Sequence, residues 1–119
     1  MEGVKFVYHK CTWYWGKTVK IITNDGKGTI RVSFDDEHPA EAIIDSFSVV
    51  EDEQRKGIGT ELLKEAERII KERKVIEKII LWAVKGSWTV NWYERNGYIV
   101  TDDSDKHEYI MTKKILHNI

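Results

Sequence analysis

A strand that breaks into a glycine-bearing turn and re-emerges as an amphipathic helix constrains this chain more than any other feature. The stretch runs from Asp45 to Arg73, DSFSVVEDEQRKGIGTELLKEAERIIKER. Asp45 to Val50 is rich in small, aromatic and β-branched residues and ends at the acidic, turn-prone Glu51-Asp52-Glu53. From Ile58 onward the apolar residues Ile58, Leu62, Leu63, Ala66, Ile69 and Ile70 fall on one helical stripe, with Lys, Glu and Arg on the opposite face. The spacing predicts a helix from about Thr60 to Arg73. Between strand and helix stands Gln54-Arg55-Lys56-Gly57-Ile58-Gly59-Thr60.

Glycines at such a handover let the backbone turn without a Cβ penalty and let a ligand approach the main chain closely. The first N–H groups of the helix lack intrahelical partners, and the macrodipole adds partial positive charge there. Together these make an anion site suited to phosphate, with Arg55 and Lys56 placed to add countercharge at its rim. A Gly-x-Gly pattern alone equally fits an ordinary helix entry whose glycines only ease packing.

The chain before this stretch is β-rich. Val4–His9 alternates as a first strand, and Lys10–Gly16 reads as a loop. Val19–Thr23 and Thr29–Phe34 flank Asn24-Asp25-Gly26-Lys27-Gly28, a hairpin signal. Asp35–Ala40 is a polar loop holding the only proline, Pro39, and Ala42–Val50 is the next strand. No helical stripe precedes Thr60. After the helix, Lys78–Val84 is a continuous apolar run, which predicts a central strand buried on both faces and completes a β-α-β unit. Ser87–Arg95 predicts a shorter helix stopped by Asn96-Gly97. Tyr98–Thr101 and His107–Ile115 form a last strand pair across Asp102-Asp103-Ser104-Asp105.

At 119 residues the chain has room for one domain, 1–119, and a core that needs no staples. Nineteen basic residues against 20 acidic ones, a net charge of -1, speak against a nucleic-acid binder. The single cysteine, Cys11, excludes an internal disulfide and a cysteine-rich metal site. The four histidines show no ligand spacing, so no metal is expected. No apolar run approaches the roughly 20 residues that span a bilayer. Met1–Lys5 opens no signal-peptide pattern. A cytoplasmic protein with no membrane partner is the expectation.

Gln54-x-x-Gly57-x-Gly59, in this strand-turn-helix setting, resembles the signature of the GCN5-related N-acetyltransferase (GNAT) superfamily. Asn91-Trp92-Tyr93-Glu94-Arg95-Asn96-Gly97-Tyr98 is similar to that family's aromatic-Tyr-Glu-x-x-Gly-aromatic segment, and His107–Lys114 to its last core strand. The resemblance spans roughly Ala42 to Ile115. It implies an α/β (α+β) fold: a mixed, mostly antiparallel sheet with a central β-α-β unit and a splayed strand pair. The helices that the family commonly places between its first two strands have no counterpart. Either they are shrunk to the Cys11–Gly16 loop, or this is a compact member with an open acceptor side.

The resemblance further implies acetyl-CoA as co-substrate. Phe47, Ser48 and Val49 would offer backbone groups to the pantetheine arm, as an added strand would. The turn Arg55, Lys56, Gly57, Ile58, Gly59 and Thr60 would hold the pyrophosphate, with Gln54, which opens the signature, also on the cofactor. The Val49 N–H is implied as the donor that polarises the thioester carbonyl. Tyr93 is implied as general acid toward the departing thiolate, a phenol being protonated at neutral pH; it also fits as a core aromatic. An asparagine common in the family some seven residues before this tyrosine is replaced by Gly86, with Lys85 or Ser87 as substitutes.

For the general base, Asp45 lies on the strand where the family often carries a carboxylate. Period-2 counting puts it on the face of Phe47 and Val49, although a solvent-facing or lysine-paired Asp45 fits the same pattern. Trp82 and Trp92 read as core; Trp13, Trp15 and Trp88 stand as candidates to flank the site.

The function implied is an acetyl-CoA-dependent N-acetyltransferase. It would pass the acetyl group to a primary amine, on a small molecule or a protein, by direct attack in a ternary complex. The alternative is a non-catalytic acyl-CoA-binding or sensing domain on the same fold; a β-rich interaction module is a third reading. A homodimer is open, since family members often pair.

Overall fold

The punctuation read from the sequence sets most of the element boundaries. The computed structural model describes residues 4–50 and 57–117. Its strands and helices are β1 (Phe6–Trp13), β2 (Gly16–Thr23), β3 (Gly28–Asp35), β4 (Glu41–Val49), α1 (Ile58–Lys71), β5 (Lys78–Val84), α2 (Trp88–Arg95), β6 (Ile99–Asp102) and β7 (Glu108–Lys114). The strands form one sheet in the order β1-β2-β3-β4-β5-β7-β6. Every neighbouring pair is antiparallel except β4 and β5. This is the mixed, mostly antiparallel α+β architecture expected of a GNAT fold. The turn at 24–28 forms as its residues predict, with Asp25 Oδ1 accepting from the Thr23 hydroxyl at 2.7 Å and the Lys27 amide at 3.0 Å.

The apolar stripe of α1 drives it onto the sheet. Leu62, Leu63, Ala66 and Ile70 are buried against Ile21, Ile30, Val32 and Ile44. Each fully buried leucine or isoleucine contributes about 1.5–3 kcal/mol. The one acid in the stripe, Glu67, is buried too. It accepts a hydrogen bond from the Tyr98 hydroxyl at 2.8 Å and pairs with Lys113 at 3.2 Å, which is how a buried carboxylate is tolerated. Tyr93 of α2 joins the same core cluster, so both helices cover one face of the sheet.

Three expectations are corrected. Lys10–Gly16 is not a loop: β1 continues to Trp13 and pairs with β2 in unbroken register from Phe6↔Thr23 to Trp13↔Gly16. The helices missing between the first two strands are thus replaced by a hairpin arm that reverses at Tyr14-Trp15. Lys78–Val84 is not buried on both faces. Ile79, Leu81 and Ala83 face the helices, whereas Trp82 and Val84 are exposed on the reverse face, which carries no helix among the described residues. Trp82, expected in the core, therefore lies on an open surface.

The third correction concerns Asp45. Strands β3 and β4 slip register between Thr29 and Arg31, so that Ile30 stands opposite an extra residue of β4. Ser46, inside the slip, has φ +49°, left-handed for a residue with a Cβ. A bulge of this kind breaks the two-residue alternation. Phe47 and Val49 consequently pack toward the core side with Ile44, and Asp45 points to the reverse face.

Candidate active site

The parallel ladder between β4 and β5 is short. It holds from Glu41↔Lys78 to Ile43↔Ile80 and then ends. Beyond Ile43 the pairing of the two strands stops, and on the helix side a cleft of about 340 Å³ opens against the freed end of β4. This is the splayed pair expected from the sequence. One wall is the end of β4, Phe47, Ser48 and Val49. The other wall is the start of α1 at Gly59 and Thr60, and α2 closes the end with Trp88, Thr89, Trp92 and Tyr93.

The entry to α1 is built from main chain. Gly57 is the N-cap at φ +82°, a left-handed conformation that a side chain would strain, and no side chain among the described residues caps the helix. The first intrahelical bond runs from the Glu61 amide to the Gly57 carbonyl at 3.0 Å, which leaves the amides of Ile58, Gly59 and Thr60 ahead of the hydrogen-bond ladder. The Ile58 side chain packs against the core, so this residue presents only its backbone. A methyl group at Gly59 would stand 3.7 Å from Phe47, 3.8 Å from Val49 and 3.9 Å from Trp92. The bare Cα of Gly59 therefore keeps the cleft open rather than relieving a clash.

Tyr93 sits at the inner end. Its ring lies against Phe47, Trp92 and Tyr98, at centroid separations of 6.5, 5.3 and 5.8 Å. The residue is 8% exposed. Burial alone pushes its phenol up to about 12. Tyr98 is raised as well, first by burial and then by the adjacent Glu67 carboxylate. Unlike Tyr98, the Tyr93 hydroxyl has no hydrogen-bond partner among the described residues.

The sequence-derived residues divide cleanly. Phe47, Ser48, Val49, Gly59, Thr60 and Tyr93 converge on the cleft, with Gly57 and Ile58 at its mouth. Gln54, Arg55 and Lys56 lie outside the described residues. Asp45 does not join the cleft: both its oxygens accept from Arg31, Oδ1 from Nε at 2.7 Å and Oδ2 from Nη2 at 3.0 Å. Lys85, a substitute for the missing asparagine, is turned away to donate to the Asp103 carbonyl at 2.7 Å. Trp92, read as core, is half-buried and lines the cleft; Thr89 went unnoticed because a threonine in the first turn of a short helix carries no sequence signal of its own. Among the described residues no cluster of three or more His, Cys, Asp or Glu side chains is arranged to hold a metal, and no helix is long and apolar enough to cross a membrane.

A family model described as Acetyltransferase (GNAT) family matches residues 9–98. Curated proteins yield no significant match. Among solved structures, the chain is similar to PaiA N-acetyltransferase from Thermoplasma acidophilum in complex with coenzyme A: 27% identity, TM-score 0.68, 82% of this chain and 60% of that one. Ard1 from Thermoplasma volcanium matches at 21% identity and TM-score 0.70 over 84% of this chain and 71% of that one. A GNAT family acetyltransferase from Elizabethkingia anophelis, with acetyl-CoA bound, matches at 16% identity and TM-score 0.70 over 92% and 98%. The last two likenesses bear on fold alone. The chain spans less than two thirds of the PaiA structure's length.

Proposed function

The chain belongs to the GNAT acetyltransferase family, and on that premise we propose that it transfers an acetyl group from acetyl-CoA to a primary amine by direct attack in a ternary complex. What supports this reading is one cleft in which a helix entry of bare amides, a released strand edge and a buried phenol face the same space. Bound acetyl-CoA would supply a thioester, whose carbonyl carbon accepts the amine and whose sulfur leaves as thiolate.

The residues of the chain divide the work. The amides of Ile58, Gly59 and Thr60, with the helix dipole behind them, bind the diphosphate. The β4 edge at Phe47–Ser48 aligns the pantetheine arm by main-chain hydrogen bonds. Tyr93 gives its proton to the sulfur as the C–S bond breaks, and the second proton shed by the newly acylated nitrogen returns through water to the Tyr93 oxygen. The proton lost by the incoming ammonium passes through water to Asp45. A carboxylate offers about four acceptor positions, of which Arg31 takes two. For Asp45→Asn, the rate with a fixed acceptor is expected to fall about tenfold or more at neutral pH and to recover as alkaline pH supplies free amine. A pH–rate profile unchanged from wild type would remove Asp45 from the mechanism.

Calorimetric titration with acetyl-CoA, followed by thiol release with an amine panel, tests the whole reading. Gly59→Leu is the matched control. It fills the cleft mouth while gaining roughly 0.5–1 kcal/mol of helix propensity, so acetyl-CoA affinity should drop at least about tenfold with the melting temperature held or raised. Equal affinity in wild type and Gly59→Leu would mean that the cofactor does not enter there.

A further inference from the structure

The reverse face of the sheet carries a second cavity, of about 630 Å³. Its floor is apolar, with Ile43, Ile80 and Ile110, and its walls are Trp13, Trp15 and Trp82. Trp13 and Trp15 project from either side of the hairpin reversal with rings 4° from parallel and centroids 6.3 Å apart. The Trp13 indole N–H donates to the Thr18 hydroxyl at 3.3 Å. The three indoles are 36–47% exposed, a large aromatic area for a surface that no helix of the described residues covers.

The lining of this cavity carries more carboxylates than permanent cations. Asp35, Glu41 and Asp45 line it against one permanent cation, Arg31, which Asp45 already engages. The excess negative charge rests on Asp35 and Glu41. The Asp35 carboxyl is held below its ordinary value, first by the Glu37 amide and then by His38. Glu41 is met at 3.2 Å by Lys78 from outside the cavity. Indole faces add a second attraction for cations. An anion would find the one permanent cation, Arg31, already engaged by Asp45, and a short polar amine would leave the aromatic walls wet.

The two cavities meet at β4. Asp45 opens on one and Phe47 on the other, with only the bulge residue Ser46 between them in the chain. The β4–β5 ladder has already ended at this level, so no β5 pairing holds β4 between the two cavities.

We propose that the reverse-face cavity binds the acceptor, and that the acceptor is a small organic cation whose amine is carried on a flat, apolar body. The inference rests on the acetyltransferase reading. The body lies along Trp13, Trp15 and Trp82, and the ammonium is drawn past Asp35 and Glu41 toward the gap beside Asp45. After losing its proton, the nitrogen forms the new C–N bond as the C–S bond breaks, and the electron pair leaves with the sulfur.

Five tryptophans allow the two sites to be read separately. In ¹H–¹⁵N spectra of wild-type protein, assigned with single Trp→Phe variants, tryptamine should shift the indole signals of Trp13, Trp15 and Trp82 and leave Trp88 and Trp92 in place. Acetyl-CoA should do the reverse. Ethanolamine, with the charge and no flat body, and indole-3-acetate, with the body and the opposite charge, should shift neither group at the same concentration. In turnover, Asp35→Asn combined with Glu41→Gln should raise the KM for tryptamine about fivefold or more with little change in kcat. Silent reverse-face indoles with tryptamine, equal shifts with indole-3-acetate, or an unchanged KM would each overturn the proposal. Silence of Trp88 and Trp92 toward acetyl-CoA would instead defeat the acetyltransferase reading.

Discussion

Tyr93→Phe should lower turnover by about 100-fold or more at neutral pH while leaving acetyl-CoA affinity within about twofold of wild type. The ring is held by Phe47, Trp92 and Tyr98, and phenylalanine keeps those contacts. The hydroxyl has no hydrogen-bond partner among the described residues, so its removal orphans no buried group and should leave the melting temperature nearly unchanged. A fall in kcat would then report chemistry and not folding. With the phenol pushed up to about 12, the neutral, proton-bearing form is the only populated one through pH 10. The wild-type profile should therefore show no alkaline loss assignable to Tyr93 in that range. Equal kcat in wild type and variant would remove Tyr93 as the acid. Tight acetyl-CoA binding with no turnover on any acceptor would favour the sensing domain.

Much of the cofactor side was legible in the sequence because its physics is local. A glycine at the start of an amphipathic helix, Gly57, takes the left-handed angle that only glycine takes freely, and the stripe from Leu62 to Ile70 points where its spacing says. The acceptor side was not legible, for two separate reasons. The Tyr14-Trp15 reversal has none of the Asn, Gly or Pro residues that mark a hairpin, so a register-perfect pair of strands read as a loop. Ser46 is equally unmarked, yet its bulge turns Asp45 away from Phe47. Trp82 failed for a third reason, which is not local at all. Whether KIILWAV is covered on its second face depends on helices elsewhere, and with none before α1 two helices on one side leave the other side bare. A chain read as lacking those helices should also have been read as carrying an exposed strand face.

The geometry of the cleft depends on one contact behind it, and a size exchange there should move stability and binding together. Gly28 begins β3, pairs with Val49 at the cleft lip, and lies under the first turns of α1. A methyl group on Gly28 would stand 2.8 Å from Leu62 Cδ1 and 3.1 Å from Ile58 Cγ2, closer than packed carbon atoms allow. Gly28→Ala alone should cost about 1–3 kcal/mol by overpacking. It should also weaken acetyl-CoA binding, because α1 is pushed off the sheet that carries the opposite wall. Leu62 is fully buried, so Leu62→Ala should cost about 2–5 kcal/mol, a large part of the roughly 5–15 kcal/mol that holds a domain folded. The two losses share one volume, and the alanine methyl of the first fills part of the space vacated by the second. The double variant should therefore be more stable than the sum of the single costs by about 1 kcal/mol or more, and it should regain most of the acetyl-CoA affinity lost in Gly28→Ala. Urea unfolding followed by tryptophan fluorescence, with unchanged m-values, measures the first quantity, and calorimetric titration measures the second. Strict additivity of stability would mean that Gly28 and Leu62 are not in contact. Recovered stability without recovered affinity would mean that the spacing of α1 from β3 does not set the cleft.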